Sequence, residues 1–171
     1  RLDAVLGMTT LRPQPMIRPA ERSDLARILE LIHALAVYEK EPNAVVATAS
    51  DLDHALFSDS PRVHALMCDL NGINVGFALY FYNFSTWRGK HGIFLEDLFV
   101  EPEYRGQGAG LALLRYLARQ AVAEGCERFE WNVLDWNTPS IQFYESVGAV
   151  AMSEWTGYRL HGDALYDFAT G

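Results

Sequence analysis

Arg105-Gly106-Gln107-Gly108-Ala109-Gly110 constrains this chain more than any other stretch. It follows a strand-like apolar run and precedes a helical one, so the backbone must turn sharply from strand to helix here. Glycines remove the Cβ atoms that would block a close anion, and the first amides of the helix have no intrahelical acceptor. With the positive end of the helix dipole, such amides favour a pyrophosphate. The ordinary alternative is a turn that merely joins two elements, and the loop alone does not separate the two readings. Two common phosphate signatures fail. No Lys-Ser or Lys-Thr follows the last glycine, and the glycine spacing and context are not those of a dinucleotide-binding βαβ unit.

Around the loop the pattern predicts a mixed α/β order. Met16–Pro19 reads as a strand, and Ser23 as the cap of a helix whose apolar residues Leu25, Ile28, Leu29, Ile32, Leu35 and Ala36 lead to Tyr38 and Glu39. Thr48 with Asp51 opens a second helix through Phe57. Val63–Leu70 and Val75–Tyr82 read as antiparallel strands joined by Asn71-Gly72. After a loop from Asn83 to His91 come a strand over Gly92–Val100, the glycine turn and a helix to about Glu124, stopped by Gly125. Phe129–Leu134 is the next strand, and Asn137 caps a helix with Pro139 in its first turn and Gly148 at its end. Val150–Trp155 and Ala164–Phe168 read as two last strands.

At 171 residues and 50% hydrophobic, the chain suits one core: an N-terminal extension over residues 1–15, with Arg1 to Gly7 a processed or appended end, then a single domain over 16–171. A net charge of −8 argues against a nucleic-acid partner and gives a field that favours cations. No apolar run spans a bilayer, so no membrane partner is expected. Cys68 and Cys126 form no metal-type pair, and Cys126 reads as a small buried hydrophobe, which fits a reducing cytoplasm. His33, His54, His64, His91 and His161 lack ligand spacing, so no metal is expected.

Arg105, Gly108 and Gly110 also meet the pattern Arg or Gln, two residues, Gly, one residue, Gly or Ala. It comes with Ile17-Arg18-Pro19-Ala20, Tyr38-Glu39, Trp87 with Gly89, Leu95-Glu96-Asp97, Asp135-Trp136-Asn137 and Phe143-Tyr144. With this ordered set, from about Met16 to Gly157, the chain resembles the GNAT superfamily of N-acetyltransferases, and within it the diamine and thialysine N-acetyltransferases, including the spermidine/spermine type. The resemblance implies a central mixed, mostly antiparallel sheet of six to seven strands, flanked by about four helices, with splayed middle strands that bind the cofactor. It also implies acetyl-coenzyme A as that cofactor and a homodimer.

A primary amine is almost wholly protonated at neutral pH, so it needs a base before it can attack a thioester. The resemblance assigns this to Glu96, probed against the alternative of a carboxylate that only pairs with an Arg or caps a loop. In a regular strand Glu96 and Asp97 face opposite sides and do not share one role. The leaving thiolate needs a proton, and the resemblance makes Tyr144 the general acid; a core Tyr with a satisfied hydroxyl is the alternative. Seven residues separate Asn137 from Tyr144, which puts both on roughly one helix face.

For the cofactor, the resemblance implies Leu98, Phe99 and Val100 through their backbone, then Arg105, Gly106, Gln107, Gly108, Ala109, Gly110 and Leu111. Asn137, Thr138, Pro139, Ser140 and Tyr144 complete the set. For the amine it implies Tyr38, Glu39, Trp87 and Glu96, with Glu130, Trp131 and Asn132 able to line the same trough. Solvated acids and core aromatics are the ordinary explanations of these residues. Ser85 and Thr156 stand where polyamine-acting members carry acids, although Glu154 lies close by, and Tyr158 replaces a Trp. The loop from Phe84 to Trp87 instead is similar to the thialysine-type branch, so a small lysine-like or thialysine-like amine is favoured over spermidine, with short diamines kept as acceptors. An acetyltransferase acting on protein lysines or N-termini, and a non-catalytic acyl-coenzyme A sensor, are the competing readings.

Overall fold

A computed structural model describes residues 12–171; the extension expected over residues 1–15 lies outside the described residues as far as residue 11. By its internal contacts the chain divides into one compact unit ending at Asn132 and another over Val133–Gly171.

The first unit is built on one five-stranded mixed sheet in the order of the sequence. Its strands are β1 (Met16–Pro19), β2 (His64–Leu70), β3 (Ile73–Ser85), β4 (Lys90–Val100) and β5 (Phe129–Trp131). The first four pair antiparallel, and β5 joins β4 in parallel. Asn71 and Gly72, at φ of 50° and 77°, make the expected two-residue turn that pairs Leu70 with Ile73. The long loop expected from Asn83 to His91 is instead a hairpin: β3 and β4 continue to the pair Ser85 and Lys90. Ser85 Oγ accepts from the Arg88 amide inside that tight turn, and Gly89 takes a positive φ of 63°.

Helix α1 (Leu25–Tyr38) and α2 (Ala49–Phe57) cover one sheet face. Ile28, Leu31, Leu52 and Leu56 pack there with Ala65, Met67, Phe77, Leu79 and Phe99, all at or below 9% exposure. Each large side chain in such a core contributes about 1.5–3 kcal/mol. Thr48 and Asp51 form the expected reciprocal cap of α2. Ser23 does not cap α1. Residues Arg22–Asp24 form a short 3-10 turn instead, and the Asp24 carboxylate accepts from the Glu21 amide while Arg18 donates two bonds to it. That ion pair holds the Asp24 carboxyl below its usual value.

Helix α3 (Ala109–Ala123) covers the opposite face, burying Leu113, Leu114, Leu117 and Ala121. Its Gln120 donates to the hydroxyl of Tyr80, whose neighbour Leu79 points into the other core. Gly125, at φ 73°, ends α3 as expected, with the Cys126 amide reaching back to the Ala121 carbonyl.

The second unit holds α4 (Thr138–Ser146) and α5 (Gly162–Thr170). Two strands expected here are absent among the described residues, so the sheet has five strands rather than six or seven, and five α-helices replace about four. Val150–Trp155 carries no regular element, and Ala164–Phe168 lies inside α5. Leu165 and Phe168 stand three apart, as one helix face allows, and Asp163 sits in the first turn where the helix dipole favours an acid. No helix among the described residues is long and apolar enough to cross a membrane.

Candidate active site

The register of β4 changes at one residue. Leu95 pairs with Tyr80 and Asp97 with Leu79, so Glu96 is the extra residue of a β-bulge. Tyr80 and Leu79 are neighbours on β3 and face opposite ways, so Leu95 and Asp97 also fall on opposite faces. The regular alternation expected around Glu96 is thereby broken. Asp97 shares the face of Leu79 and Phe99, towards α1, while Glu96 is exposed.

Strand pairing also changes at the bulge. β5 pairs with Ile93, Phe94 and Leu95 and goes no further. From Glu96 to Val100, β4 keeps β3 on one side and has no strand partner on the other among the described residues. This is the splayed geometry expected of the middle strands, and it leaves the Leu98 backbone groups and the Val100 amide for an extended amide-bearing ligand, while the Phe99 carbonyl faces Gly76 of β3. Gly76 seats this half of β4. A Cβ there would lie 2.5 Å from the Phe99 carbonyl oxygen.

Three carboxylates meet near the bulge. Burial, then Glu96, then Glu39 push the Asp97 carboxyl up from 3.8 to about 6. Glu39, at the C-cap of α1, is itself raised by burial. Sequence reasoning placed Glu39 and Glu96 at the acceptor but gave Asp97 no role. Its signal was the adjacent pair of acids, which only the bulge turns into a shared site.

Beyond Val100 a short 3-10 turn, Pro102–Tyr104, leads into the glycine loop. Gly106 and Gly108 take φ of 77° and 85°, and a Cβ on either would meet nothing within 4 Å. The backbone conformation therefore demands glycine, and the space in front of the loop stays open. Gly108 is the N-cap of α3 and has no side-chain oxygen for the first-turn amides of Ala109, Gly110 and Leu111. A pyrophosphate fits this cradle. A cleft of about 440 Å³ beside it is lined by Gln107, Gly108 and Leu111 together with Arg115, Tyr116 and Arg119.

Arg105 turns its side chain away from the loop. Its Nε donates to the Val100 carbonyl at 2.9 Å, and its guanidinium lies 4.8 Å from the Tyr38 ring centre and 5.5 Å from that of Phe99. Of the other expected residues, Trp131 lies opposite Leu95, the residue before Glu96. Trp87 is 90% exposed at the tip of the β3–β4 hairpin. Glu130 is engaged by Arg128 at 3.2 Å and by Asn83 at 3.1 Å. Trp131 packs edge-on against Phe129, and Asn132 is exposed just after β5.

In the second unit Asn137 caps α4, accepting from the Ser140 amide at 3.4 Å, and is buried. Thr138 and Pro139 start the helix, and Tyr144 is half-buried against Phe143. Gly148, at φ 93°, ends it as expected. Cys68 is fully buried, which raises its thiol to about 11, and Cys126 is half-buried; both are free. Among the described residues no three His, Cys, Asp or Glu are grouped to hold a metal.

Comparison with known proteins agrees with this geometry. Residues 25–149 match the acetyltransferase (GNAT) family. The chain is 35% identical to a thialysine N-epsilon-acetyltransferase of Sus scrofa, covering 90% of this chain and 96% of that one. It is 34% identical to an L-ornithine N5-acetyltransferase of Arabidopsis thaliana, covering 87% and 85%. Among solved structures, an integron cassette protein from the mobile metagenome of V. cholerae superposes with a TM-score of 0.77 at 27% identity, over 92% of this chain and 98% of that one. An open strand edge running into a glycine cradle, together with these relatives, identifies the chain as a member of the GNAT family: an acyl-transferring N-acetyltransferase that acts on amines, with acetyl-coenzyme A as co-substrate.

Proposed function

We propose that the protein acetylates the primary amine of a small cationic acceptor, of lysine-like, thialysine-like or short diamine type. The observation that carries this reading is the course of β4, which passes from Glu96 and Asp97, with Glu39 nearby, along an open edge into the glycine loop. Amine and pyrophosphate are thus held at two ends of one short strand segment, and the pantetheine arm running along it carries the thioester back to the amine. The acidic balance of the chain draws the acceptor in, and the relatives of similar length acting on thialysine and ornithine support a small amine.

Bound acetyl-coenzyme A supplies an acetyl thioester. The open-side backbone groups along Leu98 to Val100 would pair with its amide-bearing arm, and the amides from Arg105 to Leu111 would hold the pyrophosphate. Asn137 to Ser140 contribute from the N-terminus of α4. Glu96 takes the ammonium proton, directly or through water, which frees the nitrogen lone pair. As the C–N bond would form and the C–S bond break, Tyr144 would give its phenolic proton to the departing sulfur, and the second proton shed by the new amide nitrogen would restore the phenol, directly or through water. Tyr38 and Glu39 hold the acceptor, and Trp87, Glu130, Trp131 and Asn132 are the residues to test for its outer part. The same reading makes the protein a cytoplasmic homodimer, which sedimentation and cell fractionation check.

The test is acetyl-coenzyme A with lysine, thialysine, ornithine, putrescine, spermidine and a lysine peptide, following thiol release and product mass. Turnover of a small amine that falls at least about a hundredfold in Tyr144→Phe is the expected result. Turnover of the peptide alone would assign a protein acceptor. Cofactor binding with no acceptor-dependent thiol release would assign a sensor.

A further inference from the structure

Arg105 begins the glycine loop, where a charged side chain is expected to reach for phosphate. It does something else. Its Nε–H is committed to the carbonyl of Val100, the last residue of β4. The flat guanidinium sits over Tyr38, the last residue of α1, and beside Phe99, which belongs to the core under α1 and α2. Among the described residues it forms no ion pair, although Glu101 and Glu103 are near in sequence. The side chain is therefore held by ring faces and a backbone oxygen rather than by a carboxylate. Gly106 takes its left-handed φ immediately afterwards.

We infer that Arg105 is a positioning residue that fixes the spacing between the acceptor end of α1 and the phosphate loop. It grips Tyr38, whose neighbour is Glu39, with one face, and it fixes the last carbonyl of the open half of β4 with Nε. Its own backbone starts the cradle. This rests on the reading above that Tyr38 and Glu39 hold the amine and that the loop holds pyrophosphate. The task needs Arg. A lysine keeps the charge but has neither the planar face that stacks on rings nor a directional Nε–H.

The test is a double-mutant cycle on Arg105→Lys and Tyr38→Leu, with Arg105→Gln as the charge control. Arg105→Lys is expected to raise the acceptor KM roughly fivefold while its acetyl-coenzyme A Kd, by calorimetry, stays within about twofold of wild type. The double variant should be little worse than Tyr38→Leu alone, because both changes remove one contact. Two results would overturn the inference. One is an Arg105→Lys enzyme like wild type beside an Arg105→Gln enzyme that loses acetyl-coenzyme A, which would make the side chain a phosphate contact. The other is a cycle whose two effects simply multiply. Thermal unfolding of the same four proteins reads the coupling without turnover. Non-additive melting shifts with no amine acetylated would sink the acetyl-transfer reading and leave the clamp, whereas additive shifts would sink the clamp.

Discussion

β4 is two different strands joined at Glu96. From Lys90 to Leu95 it is a structural strand: β3 pairs with it along this whole length, and β5 pairs with Ile93 to Leu95. From Glu96 to Val100 it keeps one neighbour, carries two adjacent acids and ends at the glycine loop. The sheet is complete in the first half and open on one side in the second, where the cofactor is proposed to bind. One inserted residue makes the difference, because a bulge both re-aims side chains and ends pairing.

The sharpest way to break this contrast is at the bulge. Glu96→Gln keeps the size of the side chain and removes the proposed base, so kcat should fall by a factor of about a hundred or more with the melting temperature nearly unchanged. Steady-state kinetics beside a thermal melt check it, and a fall below threefold would remove Glu96 from the reaction.

Two glycines sharpen the comparison next. Gly76→Ala forces a Cβ against the Phe99 carbonyl oxygen, which real contacts do not tolerate at 2.5 Å, so the open half of β4 must shift. A loss of about 1–3 kcal/mol is expected by denaturant unfolding. Gly106→Ala meets no atom, and its cost is the left-handed backbone alone, about 1–2 kcal/mol. Calorimetry should show the weaker acetyl-coenzyme A binding in the second variant that its place in the cradle implies.

Asp97 gives the pH signature of the functional half. Its carboxyl titrates near 6 in the folded protein against 3.8 ordinarily, so between these values the folded state holds the extra proton. Stability therefore falls as pH rises from about 4 to 6, and the charge costs up to about 3 kcal/mol at neutral pH. Asp97→Asn should flatten unfolding stability across that window and raise the melting temperature at pH 7.5. Acceptor KM in the wild type should rise as pH drops through 6, because the protonated acid no longer attracts a cation.

The smallest effect is expected in the structural half. Arg88 and Lys90 pair with Glu127 at the exposed start of β4, and such surface pairs contribute little. Glu127→Gln should shift the melting temperature by no more than about two degrees and leave kinetics unchanged.

What the sequence disclosed followed the range of the forces involved. The Asn71-Gly72 turn, the Thr48–Asp51 cap and the stops at Gly125 and Gly148 depend on neighbours within a few residues, and all were legible. The glycine loop was legible for the same reason. Ser23 misled because Asp24, beside it, is claimed by Arg18 from an earlier strand. Ala164–Phe168 misled because five residues mixing apolar and polar types fit either period. The bulge at Glu96 was hidden, since a register exists only between two strands. So was the hold of Arg105 on Tyr38, which needs the end of α1 brought against β4.

Amide hydrogen exchange along β4, with and without acetyl-coenzyme A, tests the division of this strand most directly. The expected result is new protection within Glu96 to Val100 and the loop from Gly106 to Leu111, with Lys90 to Leu95 unchanged. Exchange that acetyl-coenzyme A leaves unaltered at both the open edge and the loop would contradict it.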